Sequence, residues 1–247
     1  MKVTSLSVLL LASIFSSHAY AGAADYVYVP TVEFGEREVD VKFGQTEPLA
    51  NNRAQVTSIG YGISARENWF TEIYLKDERN STGKATLAEW ENRFQLTETG
   101  QYPVDFGIVT ELEIPISGTA PKEVKVGGLF QTEFGKLQLN GNVLFERAFG
   151  QPDENGIPFS TNLNTQWQAK YRWQPELEFG VQGFAGMGKW NDWSQQKFEA
   201  NNIGPAVFGK IKLENRRAIK YNAAWLKGSN SNSPNHTFRT QIEYEFF

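Results

Sequence analysis

The chain has 247 residues, a formal net charge of −4, no cysteine and 14% aromatic residues. Without cysteine there is no disulfide-stapled domain, and the slight acidity leaves no basic footprint for nucleic acid. Mean hydropathy is negative, and no stretch after Ala21 approaches the roughly 18 apolar residues of a membrane helix; a β-barrel, apolar at every second residue, stays open.

The amino terminus carries Lys2, the apolar run from Val8 to Phe15, and then Ala19-Tyr20-Ala21. A basic start, a short apolar core and a small-x-small site predict a secretory signal peptide over 1–21, leaving 22–247 as one domain without a linker.

Period-two alternation then predicts twelve strands. Strand one, 31–43, changes parity between Val32-x-Phe34 and Val39-x-Val41-x-Phe43, which predicts a β-bulge at Gly35. Its polar face holds Glu33, Glu36, Glu38, Asp40 and Lys42. Strands two (53–64) and three (67–77) carry Ile59, Tyr61, Ile63, Trp69, Ile73 and Leu75 on their apolar faces, and a polar loop 77–83 follows. Strand four, 84–96, opposes Trp90 and Phe94 to Glu89, Glu91 and Arg93. Strand five, 103–114, opposes Val104, Phe106, Ile108 and Leu112 to Asp105, Glu111 and Glu113. Strands six (123–134) and seven (137–149) set Val124, Val126, Val143 and Phe145 against Lys125, Gln131, Glu133, Asn140 and Glu146.

Strands eight and nine show the pattern most plainly. Leu163, Thr165, Trp167, Ala169, Tyr171 and Trp173 alternate with Asn162, Asn164, Gln166, Gln168, Lys170 and Arg172. After Gln174-Pro175 the alternation restarts at Leu177. Each of these strands is about 13 residues, beyond the usual five or six of a globular protein and long enough for a tilted bilayer crossing. Strands ten (201–213), eleven (217–227) and twelve (237–247) place Lys210, Lys212, Lys220, Arg239, Glu243 and Glu245 on the polar face. Short breaks follow strands two, six, eight and ten; longer polar ones follow the odd-numbered strands, and Thr97 to Tyr102 is an intermediate case. The pattern is that of an all-β, transmembrane, antiparallel up-and-down β-barrel with both termini on the short-turn side.

Phe238-x-Thr240-x-Ile242-x-Tyr244-x-Phe246, followed by Phe247, resembles the closing strand of bacterial outer-membrane β-barrels, with Phe247 one residue beyond the alternation. The resemblance implies a Gram-negative outer membrane, contact with its lipid, and recognition of the last strand by the barrel assembly machinery.

No catalytic constellation stands out. Ser231, Ser233, Asn235 and His236 share one polar loop, whereas a triad needs its parts on rigid elements facing one another. One histidine outside the leader and no cysteine argue against a transition-metal site, and Asp153-Glu154-Asn155-Gly156 has the composition of a turn. Neither an enzyme nor a cofactor is expected. The candidate lumen-lining residues are Glu89, Glu91, Arg93, Asp105, Glu111, Glu113, Lys125, Lys170, Arg172, Lys210, Lys212 and Glu243. Acids outnumber bases, so weak cation preference is expected, with Lys170, Arg172, Lys210 and Lys212 as an opposing basic wall. Twelve strands lie between filled eight-stranded and open sixteen-stranded barrels, so strand count leaves an open lumen and an ion-pair-filled one equally admissible. The expected function is a narrow passive channel for small polar or ionic solutes. The alternative is a closed barrel with a structural, adhesive or partner-binding role through its loops. Trp190 and Trp193 are read as interfacial anchors.

Overall fold

The structure, a computed structural model, describes residues 22–47, 54–80, 83–118, 120–150, 159–192, 200–231 and 233–247. The expected signal peptide over 1–21, Trp193 and the turn expected at 153–156 lie outside the described residues.

Twelve strands form: β1 (Arg37–Glu47), β2 (Ala54–Arg66), β3 (Trp69–Asn80), β4 (Gly83–Gln95), β5 (Asp105–Ser117), β6 (Lys122–Phe134), β7 (Leu137–Phe149), β8 (Thr161–Gln174), β9 (Leu177–Lys189), β10 (Ala200–Lys212), β11 (Ala218–Gly228) and β12 (His236–Phe246). Each pairs antiparallel with its sequence neighbours, and β1 closes on β12 through pairs such as Val41 with Ile242 and Asp40 with Glu243. Closure leaves no strand edge unpaired. The alternation decides which way each side chain faces. Ile59, Ile73, Ile108, Val126, Val143, Trp167, Val181, Val207 and Ile242 are exposed in an outer apolar band, while Asp40, Glu72, Glu91, Asn142 and Gln182 are almost completely buried inside.

Three local expectations are corrected. First, β3 and β4 continue past the apolar band, so only residues 81–82 separate them where a polar loop was expected at 77–83. Asp77 holds the extension by pairing with Arg79 at 2.8 Å and Lys84 at 2.9 Å. Second, the β4–β5 connection occupies 96–104, and Asp105 accepts a hydrogen bond from the Gly100 amide at 2.9 Å within it. Third, β1 starts at Arg37 and there is no bulge at Gly35. The parity change has another cause.

Residues 22–33 lie inside the barrel. The Ala23 carbonyl sits against Gly44, in the upper part of β1, and Pro30 sits against Gly107, low on β5. The segment therefore descends through the lumen from the loop end toward the end where β1 begins. A turn at Phe34-Gly35, with Gly35 at φ +83°, then reverses the chain into β1. That left-handed backbone is open to glycine and costly for a side chain with Cβ. The lumen is thus filled in part by the chain's own amino-terminal segment. At the other terminus, Phe247 lies beyond β12 with the Arg216 guanidinium over its ring.

Candidate lumen site

The interior divides into a sector covered by the amino-terminal segment and an open cavity beside it. In the covered sector, β3 to β6 bring carboxylates into one row: Glu72 opposes Glu91, Glu91 opposes Glu111, and Glu111 opposes Lys125. The Tyr26 hydroxyl donates to Glu91 at 2.5 Å, and the Tyr28 hydroxyl to Glu111 at 2.8 Å. Hydrogen bonds to charged acceptors contribute about 1.5–3 kcal/mol each. Lys125 pairs with Glu111 at 2.9 Å; Lys76 pairs with Glu113 and, at 3.4 Å, with Glu89. Lys42 lies over the rings of Tyr26 and Tyr74, at 3.7 and 3.6 Å from their centroids. Two glycines make the close packing possible. A Cβ at Gly60 would meet the Tyr74 ring, and one at Gly62 the Phe70 ring.

The segment also has an apolar seat. Val27 packs with Phe184, Ala206, Phe208, Ala224 and Leu226, and Tyr28 with Val109, Leu129 and Leu144. All of these wall residues occupy the inward parity, among otherwise polar neighbours. They were overlooked as functional, although apolar side chains on the polar face are a readable signal that something apolar will cover them.

The open cavity, about 760 Å³, extends from Tyr26, Gln182 and Arg239 down to the β8–β9 turn at Pro175. Its acidic lining is Glu33, Glu36, Glu38, Glu133, Glu178 and Glu243; its basic lining is Arg93, Lys170, Arg172, Lys210, Lys220 and Arg239. Arg172 makes a two-pronged contact with Glu133 at 2.6 and 2.9 Å, and Lys170 pairs with Glu178 at 3.0 Å. Lys210 pairs with Glu245 at 2.7 Å, and Lys220 reaches Glu245, Glu36 at 3.4 Å and Glu243 at 3.7 Å. Between these charges runs a chain of side-chain amides. Gln182 donates to Gln168 at 3.0 Å, Gln168 to Asn140 at 3.0 Å, and Asn140 to Gln131 at 2.9 Å.

The sequence-predicted lining residues therefore separate into groups. Glu89, Glu91, Glu111, Glu113 and Lys125 belong to the covered sector, whereas Arg93, Lys170, Arg172, Lys210 and Glu243 line the cavity. Asp105 does not line the cavity and is committed to the 96–104 turn. Lys212, the last residue of β10, is exposed at the rim. The expected acidic excess is absent from the cavity, whose acids and bases are matched. His236 accepts a hydrogen bond from the Trp225 indole at 3.1 Å on the outer surface.

No protein-family model matches the chain, and no curated protein does. Solved structures do. The outer-membrane channel COG4313 from Pseudomonas putida F1 aligns with a TM-score of 0.59 at 10% identity, over 90% of this chain and 98% of that one. The NanC porin aligns at 0.53 and 12% identity, over 85% and 99%. The β domain of the Bordetella autotransporter BrkA aligns at 0.53 and 12%, over 87% and 99%. At such identities the likeness is one of fold. The chain has the closed, twelve-stranded antiparallel fold of the bacterial outer-membrane β-barrels.

Proposed function

We propose that the protein resides in a bacterial outer membrane and is a narrow passive channel for small polar or ionic solutes. The observation that carries this reading is the 760 Å³ cavity, lined by paired charges and amides and continuous with one end of the barrel. Such a lining favours hydrated solutes over apolar ones. The outer band of Ile108, Val126, Val143, Val181 and Val207 supplies the lipid contact. The alternative is a partner-binding role through the loop end, where 150–160 and 190–199 are the longest connections.

Planar-bilayer recording of the purified protein tests the reading. Discrete ion-conducting steps are expected, and persistent silence from correctly folded protein would favour the closed barrel. Matched charges in the cavity predict a reversal potential near zero under a salt gradient. Arg172→Gln should shift it toward cations, since Arg172 lines the cavity, whereas Glu113→Gln, away from the cavity, should leave it unmoved. The reverse pattern would place the conducting path on the β4–β5 side.

A further inference from the structure

We propose that residues 22–33 are an intrinsic gate, docked in the lumen by Tyr26 and Tyr28 and able to withdraw about the Phe34-Gly35 turn to widen the channel. The proposal deepens the channel reading and depends on it.

The segment is held by side-chain contacts and not by strand pairing. It contributes no strand to the sheet: β1 pairs directly with β12 and β2, and the barrel closes without it. Among the described residues, the wall holds it through the Tyr26 and Tyr28 hydroxyls, the Val32 amide donating to Gln95 at 2.7 Å, Lys42 over the Tyr26 ring, and the Asn142 side-chain amide, which accepts from the Tyr28 amide at 2.8 Å and donates to the Tyr28 carbonyl at 3.2 Å. Its apolar anchors are Val27 and Tyr28. Withdrawal therefore leaves the ladder of strand hydrogen bonds untouched.

One side of the segment faces the open cavity, which Tyr26, Val27, Val29 and Val32 line together with Gln182 and Arg239. Space for movement therefore lies beside the docked position, and a segment packed on one side and open on the other can have two accessible positions.

The hinge fits this motion. Phe34 is exposed, Gly35 holds φ +83°, and the Glu36 amide donates to the Glu33 carbonyl at 3.1 Å to close the turn. All three lie at the end where β1 begins, and the cavity beside the segment reaches that same end. The segment has room to leave by that end.

The test is single-channel recording on three proteins: the wild type, Tyr26→Phe/Tyr28→Phe, and a deletion of residues 22–33. The wild type should show a small level with brief excursions to a larger one. The double variant keeps both rings and loses both hydroxyls, so the fraction of time at the larger level should rise at least about tenfold. The deletion should remain at the larger level. Equal conductance and equal level occupancy in all three would overturn the gate and leave the channel standing. Silence from all three, each migrating as a folded barrel, would overturn both. Should the deletion fail to fold, the double variant decides: unchanged level occupancy rejects the gate.

Discussion

Replacing Glu111 with alanine should lower the stability of the folded barrel by about 3–5 kcal/mol, the range for breaking a buried ion pair from one side. Lys125 would lose its 2.9 Å partner while remaining buried, and the Tyr28 hydroxyl would lose its acceptor. Removing both charges with Glu111→Ala/Lys125→Met should recover much of the loss, because an apolar replacement leaves no uncompensated ion. Denaturant midpoints of protein folded into lipid vesicles provide the measurement. If the single variant loses no more than the double one, Lys125 is hydrated and this sector of the lumen is not covered. The prediction also separates a structural carboxylate from a selectivity-determining one, the role Glu111 holds when only its place on the polar face is known.

Ala169→Arg should impair barrel assembly strongly, whereas Lys170→Arg should fold as the wild type does. The two positions are adjacent on β8, the incoming residue is the same, and the pleat sends them to opposite faces. Ala169 pairs with Leu139 and Val181 in the outer apolar band, near the middle of its strand. A guanidinium facing lipid near the bilayer midplane costs about 2–4 kcal/mol. Lys170 already presents a cation to the cavity and pairs with Glu178. Gln168, also inward, would be a poor control, since it is buried and its amide links Gln182 to Asn140. The fraction of protein that migrates as a folded barrel without heating reports the outcome. Equal tolerance of the two substitutions would reject the inside–outside assignment.

The barrel itself was legible in the sequence because its signal is local. Alternation from Leu163 to Trp173, a break at Gln174-Pro175, and renewed alternation from Leu177 specify β8, its turn and β9 without reference to the rest of the chain. The same local rule misplaced the β3–β4 hairpin, since Asp77 to Asn80 are polar enough for a loop yet remain paired across the extension. It also explained the parity change near Gly35 as a bulge, where the chain in fact reverses out of the lumen. What fills a barrel is a long-range fact. Tyr26 meets Glu91 and Tyr28 meets Glu111 across 65 and 83 residues, and nothing in strand periodicity announces such a contact. The indirect signs were present: Tyr26-Val27-Tyr28-Val29-Pro30 just after the expected leader, and Val109, Leu129, Leu144, Phe184 and Phe208 on the polar parity. Each is unremarkable alone, and the closed barrel brings them together.

Solvent accessibility at Val27 tests the central claim most directly. The chain contains no cysteine, so Val27→Cys and Phe34→Cys each introduce a single reactive thiol. With the folded protein in lipid vesicles, a small water-soluble maleimide should label position 34, exposed at the turn, at the rate of a free thiol. Position 27, buried among Phe184, Ala206, Phe208, Ala224 and Leu226, should react about a hundredfold more slowly and reach the full rate on unfolding. Equal rates at the two positions in the folded barrel would contradict the account, because they would show the amino-terminal segment outside the lumen.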